Sequence, residues 1–453
     1  MDKNYYVLDV ETTVNNTSKD KKKCGLASPF HEDNRIVAYG IKTPDVIAPI
    51  LFYEREAPIE YIRLRRTGKL LKGMEEPKGY KDQKKWDWAD KFIKSASKCP
   101  IVVGHNIAFD INYILRNATA NEQINTLKQG IIDNKVLVWD SMLVEYILSG
   151  QSWKYPSLDD VCKKYELPVK DDEVKTLWQA GYKTEDINKD ILLPYLEHDV
   201  EVTEQVFLKQ LRQVDEKGLK SIVFDELRAR MATILAEYNG MAFDETHAFR
   251  LHKMLDGEVE EIESNLLEFL FEHNNIKKYS KLFEDSINFG SHDQVSAMLF
   301  GGTLKWKEER AEEDEHGDLV VYKSGKKKGN IKYRKVEFTQ ELEAMYVPKD
   351  KWKSKKEGVF FTSDEVLQEL YSVTKPTNVK ISPNSLLSKT NVKVFVSLIQ
   401  EHRQLKKERD TYLTGLTKVC WNDGLLHPTF NHVETPTGRL SCRNPNLQNI
   451  TAR

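Results

Sequence analysis

The sequence predicts an α/β fold for its amino-terminal part and a mostly helical continuation. Three observations carry that prediction. Tyr5-Tyr6-Val7-Leu8-Asp9-Val10-Glu11-Thr12-Thr13 is a β-rich run in which alternate side chains share a face. Ile101-Val102-Val103, followed by Gly104-His105-Asn106 and then Ile111, Tyr113, Ile114 and Leu115, reads as a strand, a turn and an amphipathic helix. After about residue 200 the strand signals fade, and helical patterns run from Val200 to Asn239 and from Glu245 to Glu272, broken at Gly240-Met241.

Acidic residues sit at defined places in these elements. Asp9 and Glu11 fall on one face of the first strand, because a strand repeats every two residues. Asn106 and Asp110, at i and i+4, are expected on one face of the helix that follows the second strand. Tyr195 and Asp199 repeat that spacing in a later helix, expected to begin near Pro194, a residue suited to a first turn, and to run through Val202, Val206 and Phe207. Three local settings thus offer Asp9, Glu11, Asp110 and Asp199 as carboxylates and Tyr195 as a phenol.

Carboxylates forced together at neutral pH repel one another unless cations neutralise them. Oxygen-only ligands favour Mg2+ or Mn2+, and no His or Cys cluster has zinc spacing. Two such ions roughly 4 Å apart activate a water on one side of a phosphodiester and stabilise the leaving oxygen on the other. The expected chemistry is metal-assisted phosphodiester hydrolysis, with Tyr195 orienting the water. Any one of these clusters alone is ordinarily a solvated strand edge or a helix surface. Their order and setting together make the case.

These segments resemble the three motifs of the DEDD superfamily of 3′-to-5′ exonucleases, in the subgroup with Tyr in the third motif, where the proofreading domains of family A DNA polymerases belong. The resemblance covers roughly residues 1–215 and implies a ribonuclease H-like domain with a mixed sheet. It implies Asp9, Glu11, Asp110 and Asp199 as ligands of two metal ions and Tyr195 as the water-orienting residue. Among the neighbours, Asp140 reads as a helix cap rather than a ligand. His105 and His198 are candidates for phosphate contact or for structural roles. Trp153, Trp178 and Tyr182 are candidates for base stacking or for the core.

The bulk numbers bound the rest. A chain of 453 residues exceeds one ordinary domain. A formal charge of −2 gives no global nucleic-acid signature, so any DNA surface is local. The five cysteines are scattered without C-x-x-C spacing, which favours reduced thiols in a cytoplasmic setting, the host cytoplasm if the protein is viral. No apolar run approaches the length of a membrane span.

Residues 216–415 are expected to form a helical, thumb-like region. A short helix through Val295, Met298, Leu299 and Phe300 ends at Gly301-Gly302. Near 305–360 a helix-like charged stretch, Lys305 to Glu315, precedes two alternating runs, Leu319 to Tyr322 and Ile331 to Phe338. These read as a β-hairpin with a basic tip carrying Lys326, Lys327 and Lys328. That tip is either a solvated loop or a contact for duplex phosphates. From Ser385 to Leu416 a helix shows one apolar face and another bearing His402, Arg403, Lys406, Lys407 and Arg409. Such a face suits a DNA backbone or an acidic protein surface equally.

Residues 416–453 carry the second motif, Thr435-Pro436-Thr437-Gly438-Arg439-Leu440-Ser441 through Pro445-Asn446-Leu447-Gln448-Asn449-Ile450. It resembles the segment that opens the palm of family A polymerases. Cys442 and Thr451 stand where serine and proline are usual. The resemblance implies that Arg439, Asn446, Gln448 and Asn449 contact primer and template, and Asn106 is a further candidate for DNA contact. The expected partners are single-stranded 3′ ends and primer-template DNA. The family's polymerase metal aspartates and nucleotide-binding helix find no match after residue 200. The expectation is therefore the amino-terminal portion of a bacteriophage-type family A polymerase, truncated at the start of the palm and served by a separately encoded palm and fingers fragment. A free-standing exonuclease and a non-catalytic DNA-gripping scaffold are the alternatives.

Overall fold

The computed structural model describes residues 5–14, 27–31, 33–53, 101–117, 121–133, 135–169, 173–273, 281–324, 327–373 and 389–450. They form two compact units. One comprises residues 1–244 together with 416–453, and the other residues 245–415. The first therefore extends beyond residue 215 and draws in the carboxy-terminal segment. Among the described residues no helix is long and apolar enough to cross a membrane.

The first unit is built on a mixed five-stranded sheet ordered β3-β2-β1-β4-β5: β1 (Tyr5–Thr12), β2 (Ile36–Lys42), β3 (Ile50–Tyr53), β4 (Ile101–Gly104) and β5 (Leu137–Asp140). β1 runs antiparallel to β2 and parallel to β4. Both faces are covered, which explains the near-continuous burial of β4. Leu8 and Val10 face a core shared with α1 (Ala108–Asn117), α2 (Asn121–Ile132) and α7 (Lys220–Asn239). Tyr5 and Val7 face the opposite core, where α3 (Ser141–Leu148) and the long α6 (Lys189–Glu216) supply Val144, Leu196, Val200 and Phe207. Between α3 and α6 lie α4 (Leu158–Lys164) and α5 (Glu173–Gln179).

Two helix starts differ from the sequence expectation. α6 begins five residues before Pro194, at Lys189, because Asn188 caps it by accepting the Asp190 amide at 3.0 Å. α1 begins at Ala108, so Asn106 lies outside it, exposed and with φ of 55°. Asn106 and Asp110 consequently share no helix face.

The carboxy-terminal segment closes the first unit. β6 (Met241–Ala242) pairs antiparallel with β9 (Leu425–Leu426), and β10 (Thr429–Asn431) with β11 (Ser441–Arg443). Tyr146 donates its hydroxyl to the Thr435 carbonyl at 2.5 Å. Gly438 is required where it stands: its φ is 70°, and a Cβ there would meet Gln151 Nε2 at 2.8 Å.

The second unit packs α8 (Glu245–His273) against α12 (Lys389–Lys407), with α9 (Lys281–Ser286), α10 (His292–Phe300), α11 (Asp364–Val373) and a long ribbon completing the core. The stretch expected to be helical from Lys305 is instead β7 (Gly302–Ala311), paired in register along its length with β8 (Tyr333–Leu342). The period-two burial of Leu304, Trp306 and Glu308 and the stacking of Trp306 on Phe338 at 5.8 Å decide in favour of a strand. Leu319 to Tyr322 contributes only isolated bridges, Glu313 to Leu319 and Val321 to Ile331. Thus β8's main partner is β7. Lys327 and Lys328 are exposed at the ribbon tip, and Lys326 lies outside the described residues.

The basic face of α12 is partly engaged by acidic side chains of its own unit. His402 is fully buried and bonded to Glu263 Oε1 at 2.8 Å, and Lys406 pairs with the same carboxylate at 3.5 Å. Arg403 donates to the Thr362 carbonyl. Within the π-helical turn that follows (Glu408–Thr414), with α13 (Gly415–Val419) after it, Arg409 reaches Asp256 at 3.0 Å. These cations mostly cover acidic protein surface, while Lys407 remains exposed.

Candidate active site

The sheet's alternation turns Asp9 and Glu11 toward the side on which α6 packs. Gly40 pairs with Asp9 across the β1–β2 ladder. A Cβ at Gly40 would lie 2.7 Å from Val200 Cγ2 and 3.3 Å from Leu196 Cγ. The missing side chain thus admits α6 close to the strand pair, and α6 brings Asp199. Oxygens of Asp9, Glu11 and Asp199 lie within 4.8 Å of one another. Glu11 and Asp199 are buried, at 8% and 7% exposure, and Asp9 is half-buried.

Asp110 enters from α1 by a different route. β4 pairs with β1 only as far as Val7, leaving the Val10 amide beyond the ladder. Asp110 Oδ1 accepts that amide at 3.1 Å. Its carboxyl is pushed well above the usual carboxylate range by burial first and by the charge of Asp9 second, with Asp140 adding to the effect. Asp110 therefore adjoins the three-carboxylate cluster without being one of its members.

Tyr195 lies one turn before Asp199 on α6. Its phenol is held far above its ordinary range by burial and by Asp199, Glu11 and Asp9 in that order, so it keeps its proton. Trp178 meets the Tyr195 ring edge-on at 5.7 Å and donates Nε1–H to Thr184 at 3.2 Å. This Trp supports the phenol from the core side. Such an arrangement is able to bind hard divalent cations through carboxylate oxygens and to hold a water by a neutral hydroxyl.

Neighbouring residues have structural tasks. Asp140 caps α3 by accepting the Met142 amide at 3.2 Å and also accepts the Asn106 amide at 2.9 Å. His105 spans Ser141 Oγ at 2.9 Å and the Pro156 carbonyl at 3.0 Å, so both ring nitrogens are engaged by protein. Trp153 packs against the core formed by Val161, Cys162 and Val206. Tyr182 is exposed.

Sequence reading missed Arg230. It is buried on α7 and reaches three separate segments: Nε to Asp140 Oδ2 at 3.0 Å, Nη1 to the Phe430 carbonyl at 3.1 Å and Nη2 to Asn106 Oδ1 at 3.3 Å. One guanidinium thus ties the turn before Asp110 to the carboxy-terminal segment. In sequence it is a single Arg in a helix, with no local pattern to mark it.

The comparisons with known proteins fall on both halves. The family model for DNA polymerase family A matches residues 324–453. DNA polymerase I of Bacillus subtilis (strain 168) is 24% identical over 326 residues, covering 71% of this chain and 28% of that protein. The carboxy-terminal part of the chain is thus similar to DNA polymerase family A, and the chain as a whole to DNA polymerase I. A shorter match, 38% identical over 89 residues, links 20% of the chain to 10% of DNA polymerase I of Helicobacter pylori. The chain therefore spans well under a third of the length of these curated relatives. By fold it is similar to the solved "POL domain of Pol1 from M. smegmatis complex with DNA primer-template and dNTP", with a TM-score of 0.52 at 16% identity, covering 100% of this chain and 53% of that one.

Within the matched segment, Arg439 and Asn449 are exposed. Asn446 caps a short 3-10 turn by accepting the Gln448 amide at 3.1 Å, and Gln448 donates its side-chain amide to the Leu440 carbonyl at 3.3 Å. Arg439 precedes β11 and the other three follow it, and Asn446 and Gln448 use polar groups to shape the turn there.

Proposed function

We propose that this chain belongs to DNA polymerase family A and contributes a proofreading-type 3′-to-5′ exonuclease to DNA replication, hydrolysing 3′-terminal phosphodiesters at the Asp9, Glu11, Asp110 and Asp199 centre. The observation that carries the reading is the gathering of Asp9, Glu11 and Asp199 oxygens within 4.8 Å, with Asp110 and Tyr195 beside them. Carboxylates this close favour bound cations over mutual repulsion, and their all-oxygen donor set fits Mg2+ or Mn2+. Asp9, Glu11 and Asp199 would hold the ions, two in number, with Asp110 beside them. When bound, the ions supply activation of water and stabilisation of the leaving oxygen. The chain's own part is to fix the carboxylates on a strand and a helix, and to orient the water through the protonated Tyr195 hydroxyl. The ribonuclease H-like fold of the exonuclease class accommodates the same mixed sheet.

The match of residues 324–453 to the family A model favours action with a polymerase over a free-standing nuclease. On this reading the carboxy-terminal segment bearing Arg439, Asn446, Gln448 and Asn449 meets primer and template, and the exposed Lys327 and Lys328 meet duplex phosphates. Palm and fingers elements carried on a further polypeptide segment complete synthesis. The test is degradation of a 3′-labelled single-stranded oligonucleotide with Mg2+ or Mn2+. Asp9→Ala and Asp199→Ala should abolish cleavage, and Tyr195→Phe should reduce it by about a hundredfold, the lower end of the range usual for a positioned proton-handling group. Full activity in Asp9→Ala would overturn the assignment.

A further inference from the structure

A cleft of about 340 Å3 lies within the first unit, between the α1 and α7 side and the carboxy-terminal strands. None of Asp9, Glu11, Asp110 or Asp199 lines it. Its volume falls at the lower end of the range for small-molecule sites.

Two buried amides on its wall are incompletely satisfied. Asn112 is 2% exposed and donates Nδ2 to Glu237 Oε2 at 3.0 Å, which fixes the amide orientation. Its Oδ1 has no hydrogen-bond partner among the described residues. Asn431, 7% exposed on β10, leaves its Nδ2 similarly without one. Buried polar atoms of this kind are costly unless something supplies the missing bond. One wall thus carries an unpaired acceptor and another an unpaired donor, both buried beneath the cleft surface.

The remaining lining is suited to a flat ring. Phe109, Phe430 and Tyr155 contribute aromatic surface. Arg443, exposed, sets its guanidinium 5.8 Å from the Tyr155 ring centre. Nucleobases carry donors and acceptors side by side on one edge and stack on aromatic side chains, and a guanidinium suits the attached phosphate. We propose that this cleft binds one nucleotide, its base inward against Asn112 and Asn431 and its phosphate toward Arg443. A free mononucleotide and the terminal nucleotide of a strand present the same groups. The proposal stands apart from the exonuclease reading.

The test is calorimetric titration of the full chain with each deoxynucleoside monophosphate and with a short single-stranded oligonucleotide, in EDTA to silence metal-dependent cleavage. Saturable binding is expected, weakened about tenfold or more in Asn431→Leu, a loss matching one hydrogen bond in a buried site. Arg443→Gln, on the exposed rim, should weaken nucleotide but leave the corresponding nucleoside unchanged. Binding of the monophosphate identifies a free nucleotide as the ligand, and binding of the oligonucleotide alone identifies a strand end. The proposal is overturned if nothing saturates at millimolar ligand, if inorganic phosphate competes as well as nucleotide, or if both variants bind as the parent does. Soaked crystals showing ordered water alone in the cleft would overturn it equally.

Discussion

His432 shows how one buried side chain sets a pH response. Its Nε2 lies 2.9 Å from Thr233 Oγ1, and Nδ1 lies 3.9 Å from Glu226. Burial, then the nearby Arg230 charge, depress it from 6.5 to about 4, against the opposing pull of Asp140. Above 6.5 the ring is neutral in both folded and unfolded chains. Between 6.5 and about 4 the unfolded ring takes a proton that the folded ring refuses, so stability is lost as pH falls through that window. The gap is worth on the order of 3 kcal/mol at most. Glu237, raised by burial, acts in the opposite sense and is common to parent and variant. His432→Gln should therefore flatten the fall in urea midpoint between pH 6.5 and 4.5, and a midpoint falling as steeply as the parent's would remove His432 from the account. The catalytic candidates were legible at this scale because each sits in a local pattern: a strand period for Asp9 and Glu11, a helix repeat for Tyr195 and Asp199. Arg230 and His432 were not: the partners of Arg230 come from segments as far apart as Asn106 and Phe430, and those of His432 are Thr233 and Glu226, some two hundred residues earlier.

At the level of elements, the site depends on how closely α6 approaches β1 and β2. Gly40 makes that approach possible, and its role became visible only from the packing of Val200 and Leu196 over it. Gly40→Val should push α6 outward, at a stability cost of about 1–3 kcal/mol for overpacking. The same shift moves Asp199 and Tyr195 relative to Asp9 and Glu11. Turnover on single-stranded DNA should drop by about a hundredfold, as expected for displacement near 1 Å, with oligonucleotide affinity largely kept. Parental turnover in a folded Gly40→Val chain would show that α6 placement does not govern the centre. Elements with strong local periodicity, β1, α8 and α10, were readable from the sequence. β7 was not, because its dense charge imitates a solvated helix and only pairing with β8, some thirty residues on, reveals its period of two. The basic face of α12 was ambiguous for a similar reason: Glu263 and Asp256, which absorb it, lie on α8, well over a hundred residues earlier.

Across the whole molecule, the first unit is discontinuous in sequence, and that has a thermodynamic consequence. β6 and β9 pair antiparallel, Met241 with Leu426 and Ala242 with Leu425, and the Phe243 amide reaches the Gly424 carbonyl at 3.1 Å. The chain thus leaves the unit at Asp244 and re-enters it near Leu416 through neighbouring strands, the arrangement in which an inserted unit is tolerated. The returning segment also satisfies Glu237: its Oε1 accepts the Phe430 amide at 2.8 Å, and its carbonyl accepts His427 Nδ1–H at 2.7 Å. A chain in which residues 245–415 are replaced by a short Gly/Ser linker should therefore keep a cooperative melt, since both pairings survive. A chain ending at Asp244 loses β9, β10 and the partners of Glu237, leaving a buried carboxyl without its amide donor from Phe430 and Arg230 without the Phe430 carbonyl. Calorimetry should place its midpoint well below that of the linked chain, with increased dye binding from the uncovered apolar surface. Equal midpoints for the two chains would mean that residues 416–453 add nothing to the first unit's stability, and the discontinuous unit would have to be redrawn as two independent pieces.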